Sequence, residues 1–205
     1  MSLYTVIETK EFQVTGLLTT LSEEVNRISH HGVREELLDK QAEEVGIPVT
    51  KIRIPNPCPN EVYDRKMREV MEEYKRQGVT HSISGDLFLV DIRRYREEQL
   101  RKVGLTPIFP LWKQPTGLLA RRMIELGFKA VVICVDSKRL SSKFSGRYFD
   151  TTLVDELPRN VDPCGENGEF HTFVYDAPIF KHPIPIRIGE TVTRNGFQFT
   201  DILLK

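Results

Sequence analysis

Short apolar runs rich in β-branched residues alternate along the chain with longer stretches whose apolar positions recur every three or four residues. The first rhythm is that of buried strands, the second that of amphipathic helices. The spacing predicts a strand over 12–20, then a helix over 31–46 with Val33, Leu37, Leu38, Ala42 and Val45 on one face. His30-His31 opens that helix and Gly46 stops it. A second strand is expected over 47–54, ended abruptly by Pro-Asn-Pro-Cys-Pro. Residues 61–77 predict a helix through Val62, Met67, Val70, Met71 and Tyr74. Residues 79–84 form a third strand running into Gly85-Asp86. Helices over 91–103 and 115–126 are closed by Gly104 and Gly127. The run 129–136 is continuously apolar, as in a strand covered on both faces.

A strand–helix–strand–helix order implies an α/β fold, a parallel sheet between two helical layers with right-handed crossovers. After 136 the rhythm changes. Strands are expected over 169–175 and 184–187, and 190–202 reads as a hairpin turning at Arg194-Asn195-Gly196. The chain is therefore divided into an α/β domain over 1–136 and a smaller β-rich domain over 137–205.

Composition adds mostly exclusions. Lys+Arg and Asp+Glu both total 29, giving no electrostatic case for nonspecific nucleic-acid or membrane binding. No run approaches the roughly 20 apolar residues of a transmembrane helix, and no export signal precedes the first strand. Three widely spaced cysteines without a Cys-x-x-Cys pair argue against a disulfide framework and a zinc site. A cytoplasmic protein with reduced thiols is expected. No histidine shows metal-ligand spacing, so no metal ligand is assigned.

In open parallel sheets, ligands bind beyond the carboxyl ends of the strands. That rule selects Thr19, Thr20, Gly85, Asp86 and Asp136. Glycine allows close approach of a phosphate, and an adjacent carboxylate can hold Mg²⁺ through water; a plain strand-end turn is the bland alternative. Arg93 and Arg94 open a charged helix close to Gly85-Asp86, and could grip phosphate or carboxylate. A solvated face of Glu–Arg pairs is the usual meaning of such a run. The stretch Asp162-Pro-Cys-Gly-Glu-Asn-Gly-Glu-Phe-His-Thr172 concentrates carboxylates, glycines, a thiol and an imidazole before an apolar strand. Such a loop suits a small polar ligand, with Glu166, Glu169 and His171 as base or orienting groups. Cys164 and His171 could form a nucleophilic pair, although a small packed thiol is the commoner role. Trp112 is read as a packing anchor.

Taken together and in order, Gly16-Leu-Leu-Thr-Thr20, His31-Gly-Val-Arg34, the run from Gly85 to Glu98, Phe109-Pro-Leu-Trp112 and Cys164-Gly-Glu-Asn-Gly-Glu-Phe-His-Thr172 resemble the diphthine–ammonia ligase-like branch of the N-type ATP pyrophosphatases. That branch lies within the adenine nucleotide alpha-hydrolase-like (HUP, PP-loop) superfamily, and the resemblance runs from about Phe12 to Lys205. It implies a nucleotide-binding domain, a smaller substrate domain and a site between them. The implied reaction adenylates a substrate carboxylate with ATP and Mg²⁺, releasing pyrophosphate, before ammonia displaces AMP to give an amide. By resemblance Thr19 and Thr20 border the adenine or ribose and Gly85 and Asp86 the phosphates. Arg93 and Arg94 flank the cleft, and Glu166, Glu169 and His171 form the substrate side. Diphthine on a translation factor is the implied partner.

The sequence departs from this pattern at its start. Family members open with an apolar strand and a Ser-Gly-Gly-Lys-Asp-Ser type loop that cradles pyrophosphate. Here residues 1–9 read instead as the tail of a helix, with Leu3, Val6 and Ile7 at helical spacing. Two expectations follow. Met1 is internal to a longer protein and activity is impaired in this piece; or the chain is a noncatalytic nucleotide- or metabolite-binding module. A sheet lacking its first strand would also favour self-association.

Overall fold

The computed structural model describes residues 1–25, 27–28 and 32–205. The expected helix opening at His30-His31 lies outside these residues. Helix α1 (Ser2–Thr9) precedes strand β1 (Leu17–Ser22), which is shorter and later than the pattern of 12–20 suggested. Helix α2 (Glu35–Val45) ends at Gly46, whose φ of 75° takes the left-handed conformation that lets its N–H cap the last turn. Then follow β2 (Val49–Ile54), α3 (Asn60–Arg76), β3 (His81–Ile83), α4 (Val90–Lys102) and β4 (Thr106–Ile108). Strand β4 was not expected, because Pro107 removes a ladder donor from the middle of an already short run.

The second half comprises α5 (Thr116–Glu125), β5 (Lys129–Asp136), a short α6 (Thr151–Glu156), β6 (Phe170–Asp176), β7 (Ile186–Arg194) and β8 (Phe197–Leu204). Strands β7 and β8 form the expected hairpin, with Asn195 and Gly196 both at positive φ, 51° and 84°.

The sheets differ from the single parallel sheet expected. β1 pairs with β2 and β3 with β4, each in parallel register, as two separate two-stranded sheets. β5 joins neither. It pairs antiparallel with β6 and with β8 inside a four-stranded sheet of order β6-β5-β8-β7. The physical reason is that a continuous apolar run reports burial on both faces and says nothing about direction. Val131 and Ile133 pack with Phe173, Ile184 and Ile202 on one face, joined by Val33 and by Leu37 of α2. Val132 and Val135 pack on the other face with Phe144, Leu153 and Phe170. A register shift between Val132 and Cys134 accommodates the switch of spacing along the strand. A division after residue 136 would therefore separate β5 from the strands that complete its sheet.

Candidate functional site

Gly85 and Asp86 follow β3 directly, at the carboxyl end of the β3–β4 pair. Asp86 is buried, and its charge is met by Arg96, whose Nε lies 3.1 Å from Oδ1 and 3.0 Å from Oδ2. The contact to Oδ2 is an ion pair without hydrogen-bond alignment, leaving that oxygen without a directed donor. Thr19 and Thr20 lie on β1 and line a cleft of about 1000 Å³ that β3, Ser84 and Arg96 also line, whereas Gly85 and Asp86 are not among its lining residues.

The loop 162–169 reaches the same place from the other half of the chain. Glu166 accepts the Leu87 N–H at 2.7 Å, next to Asp86. Burial pushes the Glu166 carboxyl above its usual range and the nearby Asp86 charge adds to this, against the stabilising N–H groups of Leu87 and Phe88. The loop that places Glu166 is built from carboxylates. Asp162 Oδ2 accepts the N–H groups of Cys164 and Glu166, at 3.1 and 2.9 Å. Glu169 is buried and accepts the Asp162 N–H at 3.0 Å, the Asn167 N–H at 3.1 Å and the Asn167 side-chain amide at 3.0 Å. Burial would raise the Glu169 pKa, but those donors prevail and hold it low. Gly165 takes φ 69° with the Phe170 carbonyl only 2.6 Å from where a Cβ would stand. Only glycine fits there.

Two sequence-based placements change. Glu169 and His171 were expected to face the same way if the strand began by 169. β6 starts at Phe170, so Glu169 folds back into its loop while His171 sits opposite Cys134 in the ladder. Arg93 and Arg94 were expected near Gly85-Asp86. Arg93 instead lies in the corner between two tilted rings, 4.7 Å from the Phe109 ring centre and 4.6 Å from that of Trp112, with its Nε 2.7 Å from Glu97. This is a packing role, which Trp112 shares. Arg94 lines a separate shallow groove with Arg101 and Gly104. The cation at Asp86 is Arg96, and one signal could have found it. Leu100 is the buried residue of α4, and Arg96 precedes it by one helical turn on the same face. Asp162 was likewise missed as the loop's organiser.

Asp136 ends β5 in the other sheet and accepts the Lys138 N–H at 3.0 Å, so it does not share a sheet with Thr19 or Gly85. The Cys164 thiol, which donates to the Thr116 carbonyl at 3.4 Å, is pushed up to about 12 by burial and by Asp162 and Glu166. Burial of this kind disfavours the thiolate form. No group of three or more His, Cys, Asp or Glu suited to a metal ion occurs among the described residues. Nor is any helix among them long and apolar enough to cross a membrane.

The arrangement is that of a two-part α/β protein, with a strand-end turn on one part met by a glycine- and carboxylate-rich loop from the other. Family models for the diphthamide synthase N-terminal domain and C-terminal domain match residues 1–107 and 115–202. The chain belongs to this diphthine–ammonia ligase-like family. Among curated relatives, diphthine–ammonia ligases of Bos taurus and Homo sapiens are each 27% identical over 196 residues, covering 88% of this chain and 73% of theirs. The diphthine–ammonia ligase of Schizosaccharomyces pombe is 26% identical over 198 residues, 89% of this chain and 33% of that protein.

Proposed function

We propose that the chain is an ATP-dependent amidoligase of the diphthine–ammonia ligase type, which adenylates a substrate carboxylate and passes it to ammonia. The observation that carries this is the Glu166–Leu87 hydrogen bond, which sets the loop 162–169 against the turn at Gly85-Asp86. In this reading the nucleotide part is an adenine nucleotide alpha-hydrolase-like domain and the C-terminal sheet belongs to the substrate part. The end of one family match at 107 and the start of the other at 115 favour a division in the segment 108–114 over one at 137. Thr19 and Thr20 border the nucleoside, and Gly85, Asp86 and Arg96 face the phosphates. Glu166 and His171 serve the substrate side, with Glu169 holding the loop in shape. Asp86 would hold Mg²⁺, an ion that needs only one or two protein carboxylates and would offset charge on the phosphates. The substrate would be diphthine on a translation factor, in the cytoplasm.

One observation favours a second reading, nucleotide binding without turnover. Among the described residues lining the cleft, Arg96 is the one guanidinium, and it is already paired with Asp86. A triphosphate needs more positive charge than that. The experiment is to incubate the chain with ATP, Mg²⁺, ammonium and a diphthine-bearing translation factor, and to measure AMP, pyrophosphate and amide. Formation of all three, lost in Glu166→Ala, supports the ligase. Saturable ATP binding without AMP supports the second reading, and absence of ATP binding sinks both.

A further inference from the structure

Strand β5 ends at Asp136, and the chain then doubles back. The N–H groups of Arg139 and Leu140 both donate to the Asp136 carbonyl, at 3.0 and 2.9 Å, and Asp136 Oδ1 accepts the Lys138 N–H at 3.0 Å. Leu140 anchors this turn. It is buried in one cluster with Val161 and Phe170, the residues that flank the loop 162–169 on either side. The turn and both ends of the loop therefore share one apolar floor. From there the Asp136 N–H donates to the Glu169 carbonyl at 2.9 Å, and Arg139 Nη1 donates to the Asn167 carbonyl at 2.6 Å. No other group among the described residues donates to that carbonyl. Asp136 Oδ2 lies 3.4 Å from Arg139 Nε, so its charge steadies the guanidinium from behind.

Residues 166–168 are thus held at two points. Asp162 Oδ2 takes the Glu166 N–H at 2.9 Å, and Arg139 takes the carbonyl of the next residue. We infer that Arg139 is a positioning residue for Glu166, and that Asp136 in turn orients Arg139. The carbonyl it holds belongs to the residue directly after Glu166, so loss of that bond frees the peptide that carries the Glu166 side chain to Leu87. The inference rests on the ligase reading, in which Glu166 serves the substrate side. A guanidinium gives a charge-assisted bond, but about half of the Arg139 side chain is exposed. Solvent screening therefore limits the loss to a factor of about three to ten.

The test uses the whole 205-residue chain with ATP, Mg²⁺, ammonium and a diphthine-bearing translation factor. Arg139→Gln should lower kcat/KM for the translation factor about three- to tenfold and leave KM for ATP within about twofold, because a loosened Glu166 misplaces one substrate only. Arg139→Lys, which keeps the charge and one donor, should recover part of that loss. In a Glu166→Gln background the same Arg139→Gln change should cost less than about twofold, since its effect passes through Glu166. Amide exchange at Asn167 and Gly168 should quicken about three- to tenfold in Arg139→Gln while the β5 amides stay slow. Unchanged exchange at both amides overturns the inference. So does faster exchange with unaltered kcat/KM, or an equal loss in the parent and Glu166→Gln backgrounds, either of which leaves Arg139 a merely structural residue. A parent chain that forms neither AMP nor amide refutes the ligase reading instead, and exchange at Asn167 and Gly168 then decides alone whether Arg139 holds the loop.

Discussion

Asp201 offers the most exacting check on how the two halves are held together. This carboxylate, on β8, receives Arg27 Nη1 at 3.0 Å and Arg34 Nε at 3.0 Å, with Arg34 Nη2 on its second oxygen. Arg27 also donates to the Gly32 carbonyl at 2.7 Å, so Arg27, Gly32 and Arg34 are tied to β8. Burial would raise the Asp201 pKa, but the hydrogen bonds from Arg34 and Arg27 bring it down to about 2 from an ordinary 3.8. That difference corresponds to about 2 kcal/mol of folding stability. The folded pKa is the depressed one. The contribution is therefore complete above the unfolded value, near pH 4, and is lost as pH falls towards about 2. Asp201→Asn should accordingly unfold about 2 kcal/mol more easily at pH 7 in urea, with a melting temperature lower by roughly 4–8 °C. The gap between variant and parent should persist to about pH 4–5 and close near pH 2. A gap below about 0.5 kcal/mol at pH 7, or one of equal size at both ends of that range, would refute the assigned electrostatics.

Gly165→Ala should destabilise the chain by at least about 2 kcal/mol, because it combines a left-handed φ with a clash at the Phe170 carbonyl; thermal denaturation reads this directly. Glu169→Gln should disorder residues 162–167 while sparing β5, seen as faster amide exchange in that loop alone, since three donors lose a charged acceptor. Iodoacetamide at pH 7.5 should label Cys58 well before Cys164 or Cys134, both of whose thiols are pushed up to about 12; mass spectrometry of timed digests settles the order. Arg96→Met should weaken any ATP binding about tenfold or more, whereas Arg94→Met should leave it unchanged, as calorimetry would show.

Much of this was legible in the chain. Periodicity located α2 to α5 to within a few residues but not the short α6, because the apolar faces of α2, α3 and α5 are uninterrupted and end at glycine or a charged last turn. The Asn195-Gly196 turn was readable because its dipeptide demands positive φ. Strand partnership was not legible. Nothing within Lys129–Asp136 distinguishes a parallel core strand from an antiparallel one covered by α2 and by loops, since the choice is made by residues far away in sequence. At the site, composition drew notice to 162–172 but not to the division of labour inside it. Glu166 reaches outward and Glu169 inward because of glycine torsions at 165 and 168, which a residue count does not reveal. Within a fraction of a helical turn, side chains on α4 pass from an aromatic corner at Arg93 to a buried carboxylate at Arg96, a difference that the charge run does not reveal.

The sharing of one hydrophobic cluster by α2 and the C-terminal sheet has an evolutionary consequence. Leu37 comes from the segment matched by one family model, whereas Val131, Phe173 and Ile202 come from the segment matched by the other. The two segments thus share part of one hydrophobic core. A chimera that takes each from a different relative inherits two half-surfaces that never adapted to one another. Substitutions at Leu37 and at its partners on β5, β6 and β8 must travel together if such an exchange is to leave a folded protein.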